Sequence, residues 1–440
     1  MIGRSSAPWK SLCRRSFFKG WVRGLTGLTL VKLLPGHALV TEASDSKLEA
    51  GSSTSSARPA QLIVKKVPDE ILPESYSRFK LDPSRYLAQS DLVWEAPEGP
   101  PANWIDGVPV GNGDFGAMVY GYPDNLSFAL GKTDIWDRRD IGRSNFPAGT
   151  FADLRKTFFD QDEAAFNRFR EGNGRPFFSY SSEVAHLTDG GVFRLRLAEA
   201  SIATDCAARL ALYEAVGRVE FVATGQNKID SGAHSKNSAA YFVSREHDVL
   251  AIRLQPGDYP LGHVSWELGR ALRPGYRAPS LTQEGNTAWL RQQMPEGDFF
   301  VIAAMVNTPG ASWSAAGSRL VGDFLSQSQE PLEIYLTIVT SSDSQDPLAE
   351  AKRRLSNAAH LKYEGLLASH RQWWKGFWER SFVSFGDRDV EKWWYVSNYL
   401  CGSILRPGKQ TPGLQGVWVK ENHAPWDGDY HGNVNMQSLY

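Results

Sequence analysis

Near its end the chain reads WDGDYHGNVN. This sets two carboxylates (Asp427 and Asp429), an imidazole (His431) and two carboxamides (Asn433 and Asn435) among the rings of Trp426 and Tyr430. In an extended segment side chains alternate, so His431, Asn433 and Asn435 would project to one side and Gly432 and Val434 to the other. A helix would scatter them. Three hydrogen-bonding groups in a row can hold and orient a small polar molecule such as water. A carboxamide has negligible basicity, however, so taking a proton from that water requires a carboxylate. Two plainer readings use the same residues. Asp, Asn and Gly favour helix caps and turns, and Asp427 with Asp429 would offer oxygen ligands to a hard cation, although two carboxylates are too few for a calcium site. No metal and no cofactor is expected.

The elements that must position this stretch follow from hydrophobic period. From about residue 90 to 345, short runs such as FRLRLA, RVEFVAT, VLAIRL, FFVIAAMV and EIYLTIV are bounded by Gly, Pro, Asn and Asp. Many short strands at close spacing predict a large antiparallel β-sandwich. After Asp346 the apolar spacing changes to three and four residues, which predicts two helices over DPLAEAKRRLSNAAHLKYEGLLASHRQWWKGFWERSF and another over VEKWWYVSNYLCGSIL, stopped by Arg406, Pro407 and Gly408. At this spacing Trp373, Trp374, Trp378, Trp393 and Trp394 read as packing residues. The run VPVGNGDFGAMVYGYP carries Gly111, Gly113 and Gly116 in a G-x-G-x-x-G pattern, but no helix is signalled after it, and AMVYGYPDNLSFALG reads as strand, turn and strand. The glycines therefore point to tight turns and close backbone approach, not to a dinucleotide. DIWDRRD, with Asp134, Asp137 and Asp140, reads equally as an acid/base pair or a salt-bridged surface loop, and no catalytic role is assigned to it.

Three segments in order, WIDGVPVGNGDFGAMVYGYPDNLSFALGKTDIW, HRQWWKGFWERSFV and YLCGSILRPGKQTPGLQGVWVKENHAPWDGDYHGNVNMQ, resemble glycoside hydrolase family 95, the α-L-fucosidase and α-L-galactosidase group. The last is the most specific, through its LQGVW, PW, DYH and H-x-N-x-N elements. The resemblance implies a multidomain β plus α architecture: an N-terminal β-sandwich, a helical linker and the start of a truncated (α/α)6 catalytic barrel. It implies an inverting hydrolase acting on terminal α-linked L-fucose or a related sugar, in which water attacks one face of the ring while an acid protonates the leaving oxygen on the other. Asn433 and Asn435 would hold that water with a downstream aspartate, His431 would contact the sugar, and a downstream glutamate would be the acid. Neither carboxylate lies within these 440 residues, so the chain as given is expected to be an inactive fragment. Trp426 would suit a wall facing the carbohydrate.

The remaining features bound these expectations. A chain of 440 residues, 42% apolar and 22% charged, is ample for several globular domains, and a formal net charge of −1 without a basic stripe argues against nucleic acid as partner. The oligosaccharide or polysaccharide substrate is the expected partner. CRRSFFKG, with Arg14 and Arg15 before Phe17 and Phe18, followed by the weakly apolar WVRGLTGLTLVKLLPGHALV, resembles a twin-arginine export signal. Lys32, Pro35 and glycines break that run short of a membrane span. The twin-arginine (Tat) translocase would then be a transient partner, with the protein periplasmic or secreted and not stably anchored. The expected organisation is a signal over 1–43, an irregular lead over 44–88, the sandwich over 89–345, a helical linker over 346–384 and the beginning of the catalytic domain over 385–440. Three cysteines, Cys13, Cys206 and Cys401, lack metal spacing, and a Cys206–Cys401 bridge stays open. Two other classes remain: a non-catalytic carbohydrate-binding or scaffold protein, and a phosphorolytic relative of similar architecture.

Overall fold

The computed structural model describes residues 82–95, 99–139, 151–165, 185–197, 206–221, 236–258, 260–421 and 423–430. The expected export signal and His431, Asn433 and Asn435 lie outside them. The strands are β1 (Leu92–Trp94), β2 (Val108–Gly111), β3 (Phe115–Tyr120), β4 (Leu126–Lys132), β5 (Trp136–Asp137), β6 (His186–Leu187), β7 (Gly191–Leu197), β8 (Ala207–Ala211) and β9 (Val216–Phe221). They continue as β10 (Asn237–Val243), β11 (Leu250–Gln255), β12 (Gly262–Gly269), β13 (Ser280–Glu284), β14 (Thr287–Gln293), β15 (Phe299–Val306), β16 (Ser314–Ala316), β17 (Arg319–Ser326) and β18 (Leu332–Thr340). The helices are α1 (Pro83–Leu87), α2 (Phe151–Phe159), α3 (Pro347–Trp378) and α4 (Arg388–Ile404).

The strands make the expected antiparallel sandwich. One sheet has nine strands in the order β1-β8-β9-β10-β11-β18-β15-β14-β13, the other seven in the order β16-β17-β12-β7-β4-β3-β2, and β5 pairs with β6 apart from both. Every pairing is antiparallel. Alternation decides what faces the core: Phe193, Leu195 and Leu197 of β7 point between the sheets with Ile252 and Leu254 of β11 and Ile334, Leu336 and Ile338 of β18. Burying each such side chain contributes about 1.5–3 kcal/mol.

β18 is buried on both faces, because α3 lies across the outside of the nine-stranded sheet. Ala240, Ala251 and Ala303 leave room for the helix, and Leu355, Leu366 and Leu367 fill it against Phe242, Tyr335 and Val339. The helix starts where Asp346 accepts a hydrogen bond from the Ala349 N–H at 3.0 Å, with Pro347 at its first position. It is two helices joined at a kink, since Lys362 has φ 59° and ψ 173° inside the run. Beyond the kink Trp374 and Trp378 enter the main core with Tyr395 and Tyr399 of α4. Trp393 departs from the packing role read from its spacing: it is 55% exposed, on the outer side of α4. Among the described residues no helix is long and apolar enough to cross a membrane.

Candidate functional site

The three glycines of the G-x-G-x-x-G run lie in or around a hairpin, with Gly111 closing β2 and Gly116 inside β3. Their absent side chains admit the segment after α4. A β-carbon on Gly113 would stand 2.6 Å from the Leu405 carbonyl oxygen, and one on Gly116 would stand 2.6 Å from Val417 Cγ2. The Gly113 N–H donates to the Ser403 carbonyl at 2.7 Å, Tyr399 Oη to the Pro109 carbonyl at 2.7 Å and Trp418 Nε1 to the Val110 carbonyl at 3.0 Å. From the other sheet Arg245 donates to the Gly402 and Leu405 carbonyls at 2.8 Å each, which satisfies the end of α4 and places a cation where the helix dipole is negative. Burial, with Arg406 nearby, lowers the Arg245 guanidinium to about 10.

Below this junction sits an ion cluster that no local pattern announced. Lys132 Nζ, fully buried, lies 2.7 Å from Asp114, 2.9 Å from Asp134 and 3.2 Å from Asp343. Lys409 adds a second ammonium at 3.0 Å from Asp114 and 2.8 Å from Asp343. Burial alone would lower Lys132, but the carboxylates of Asp134, Asp114 and Asp343 outweigh it and hold the ammonium above its ordinary value. For Asp343 burial pulls upward, and the two lysines hold it well below the usual carboxylate range. Asp134 therefore does not belong to a surface loop: it accepts from Thr340 Oγ1 at 2.6 Å, while buried Asp137 binds Arg139 and Tyr276. Their ion pairs are real but interior, and they are committed to structure.

The loop carrying Trp426 is clamped on β6. The Ala424 N–H donates to the Leu187 carbonyl at 3.0 Å, His423 stacks on His186 with centroids 3.9 Å apart, and Asp427 Oδ1 meets His423 Nε2 at 2.5 Å. Trp426, Asp427 and Gly428 follow one another at φ 57°, 60° and 71°. The left-handed region costs non-glycine residues of order 1–3 kcal/mol each, so the contacts around the loop are holding a strained turn. The result leaves Trp426 59% exposed while Asp427 is buried. Asp427, bonded to an imidazole, orients the loop and is not offered to solvent as a base or cation ligand. Among the described residues no group of three His, Cys, Asp or Glu side chains gathers as a metal site.

Of the four residues singled out for chemistry, the structure thus places one, Trp426, as an exposed ring. His431, Asn433 and Asn435 come after Tyr430, outside the described residues. Sequence reasoning missed His423, His186 and the lysine cluster. The first had a faint signal, a His and an Asp four positions apart, but in a segment without helical period. Cys206 and Cys401 are both thiols.

Comparison with known proteins gives matches on either side of the α3 segment. Residues 97–345 match the model described as glycosyl hydrolase family 65, N-terminal domain, and residues 385–440 match the glycosyl hydrolase family 95 catalytic domain. "Probable alpha-fucosidase A" of Aspergillus niger is 23% identical over 402 residues, covering 80% of this chain and 48% of the relative. "Alpha-L-fucosidase 2" of Arabidopsis thaliana is 23% identical over 401 residues, covering 78% and 45%. The chain spans about half the length of these curated relatives. Among solved structures, "Putative kojibiose phosphorylase from human microbiome" superposes with a TM-score of 0.50 at 10% identity, over 79% of this chain and 43% of that one, a likeness of fold.

Proposed function

We propose a function from one premise: the chain belongs with the glycosyl hydrolases that carry the family 65 N-terminal domain, which spans more than half of it, and is family 95-like in its C-terminal part. The proposed activity is inverting hydrolysis of terminal α-linked L-fucose or a related sugar on glycans. Its main support in the structure is the strained Trp426–Gly428 turn. Contacts from β6 and from the post-α4 segment hold it so that an indole faces solvent a short way ahead of His431, Asn433 and Asn435 in the sequence. In this reading Trp426 stacks on the apolar face of a sugar, His431 contacts its hydroxyls, and Asn433 and Asn435 orient the attacking water. The acid and the base are supplied by carboxylates other than Asp427, whose oxygen is bonded to His423.

The test is hydrolysis of 4-nitrophenyl α-L-fucoside by protein expressed from the complete gene, with the released anomer followed by NMR. The expected product is the β-anomer, at a rate indifferent to added phosphate. Asn433→Ala should lower kcat by about 10² or more, the scale of a mispositioned reactant. Phosphate-dependent release would replace this reading with a phosphorolytic one, and the α-anomer would exclude inversion. Export through the twin-arginine route is proposed with it: Arg14→Lys with Arg15→Lys should leave folded protein in the cytoplasm, and unchanged periplasmic accumulation would refute that route.

A further inference from the structure

The outer face of the seven-stranded sheet holds a cavity of about 390 Å³ that the proposed chemistry leaves unused. Its lining includes Arg194, Arg270, Arg273, Arg319 and Lys420 against the single carboxylate of Asp189. The charges come from separate elements. Arg194 stands on β7 and Arg319 on β17, Arg270 and Arg273 follow β12, and Lys420 comes from the loop that continues to Trp426. Asp189 is shared by two guanidiniums, at 3.3 Å from Arg270 and in a direct hydrogen bond with Arg273. Glu267, buried beside the cavity, is likewise shared by Arg194, Arg196 and Arg319. The carboxylates therefore leave positive charge uncompensated.

Two of these cations are also short of acceptors. Arg270 and Arg273 are 3% and 7% exposed, and Arg270 Nη1, Arg273 Nε and Arg273 Nη1 are buried without a hydrogen-bond partner. Leaving a buried charged donor unsatisfied is costly, and because these atoms are closed to solvent they add positive charge beneath the cavity, while direct contact with a ligand falls to the partly exposed Arg194, Arg319 and Lys420. Burial, with Arg270 adjacent, lowers Arg273 below the ordinary guanidinium value despite Asp189. An oxyanion is the group that meets planar guanidinium forks with two or more hydrogen bonds at once.

We propose that this cavity is a binding site for an oxyanion substituent, a sulfate ester or a uronate carboxylate, on the glycan whose reacting end is held at the Trp426 loop. This rests on the glycosidase reading for the glycan but not for the anion. Lys420 and Trp426 lie on one loop, with their α-carbons no more than roughly 20 Å apart, so a single branched or extended glycan can touch both. The site would favour acidic polysaccharides over neutral ones, through a contact remote from the bond being broken.

The experiment is a titration of the 440-residue protein with sodium sulfate, sodium D-glucuronate and neutral L-fucose at matched ionic strength, read by thermal unfolding and calorimetry. The comparison variant is the rim double substitution Arg319→Ala with Lys420→Gln, which spares buried Arg270 and Arg273. A saturable rise in Tm of a few degrees with sulfate or glucuronate, absent with L-fucose and weakened at least 10-fold in the rim variant, is expected. Whichever anion binds more tightly identifies the substituent. Sulfate also stabilises proteins non-specifically by exclusion from their surface, so an unsaturable rise equal in wild type and variant would overturn the proposal, as would no response to either anion. Anion binding by this chain, with no fucoside hydrolysis by the protein expressed from the complete gene, would leave this site standing and remove the proposed activity, and hydrolysis without anion binding would do the opposite.

Discussion

The two outer faces of the sandwich are built from the same alternation and put to opposite uses. Outside the nine-stranded sheet the outward-facing positions are small or apolar, Ala240, Ala251, Val301, Ala303 and Val339, and α3 seals them. Outside the seven-stranded sheet the equivalent positions are Arg194, Arg196, Glu267 and Arg319, in contact with one another across strands. A face that carries an apolar lid contributes stability through burial. A face of half-exposed arginines that share one buried glutamate contributes less, since losing any one of them leaves Glu267 two partners, and it keeps its charges available to a ligand. The difference teaches where substitutions should hurt the fold and where they should hurt recognition.

The largest effect is expected where the faces are tied together. Lys132, at the end of β4, binds Asp343 just beyond β18, so Lys132→Met leaves buried carboxylates facing one another with Lys409 alone. Breaking such a buried group should cost about 3–5 kcal/mol, read from urea unfolding. A loss below 1 kcal/mol would mean that the cluster is hydrated. On the lidded face, Leu366→Ala removes a fully buried side chain between α3 and the sheet, for an expected loss of about 3 kcal/mol. An intact midpoint there would dissolve the contrast.

A third prediction uses pH. Burial lowers His370 of α3 to about 4, against the hydrogen bond between its Nε2 and the Ala215 carbonyl at 3.2 Å. The unfolded histidine, near 6.5, takes up a proton that the native one refuses. The neutral histidine's stability is therefore fully present above about pH 6.5, falls as pH drops and stops falling near 4. Between pH 7 and 5 the wild type should lose about 2 kcal/mol through this residue, a loss that His370→Gln should abolish. The smallest effect belongs to the open face: Arg319→Ala should change stability by no more than about 0.5 kcal/mol. A loss above 2 kcal/mol would make that face structural and weaken the case for a ligand.

The architecture was legible because period and punctuation are local. EIYLTIV had the length and the bounding residues of a strand, and the charges spaced through DPLAEAKRRL marked a helix with one apolar stripe. The glycines of VPVGNGDFG were read for close approach, and Ser403, Leu405 and Val417 are what approaches. What was not legible is what depends on distance along the chain. Asp114, Lys132, Asp343 and Lys409 meet only because two sheets and a crossing segment bring them together, and nothing in the spacing of DIWDRRD told an interior ion pair from a surface one. His423 with Asp427 lay in plain view, but its partner His186 did not.

The glycine-lined groove over β2 also fixes an order of events during synthesis. β2 is the outermost strand of its sheet, and the groups that cover its carbonyls, Tyr399 and Trp418, come 290 and 308 residues after the carbonyls they meet. At a translation rate of about 5–20 residues per second, that edge waits roughly 15 to 60 s for its cover. An uncovered strand edge is a template for pairing with another chain. Pro109, which lacks an N–H to offer, halves the invitation at the middle of the strand. The nascent sandwich should therefore be most vulnerable to aggregation, and most in need of a chaperone, during the minute before residues 399–418 leave the ribosome.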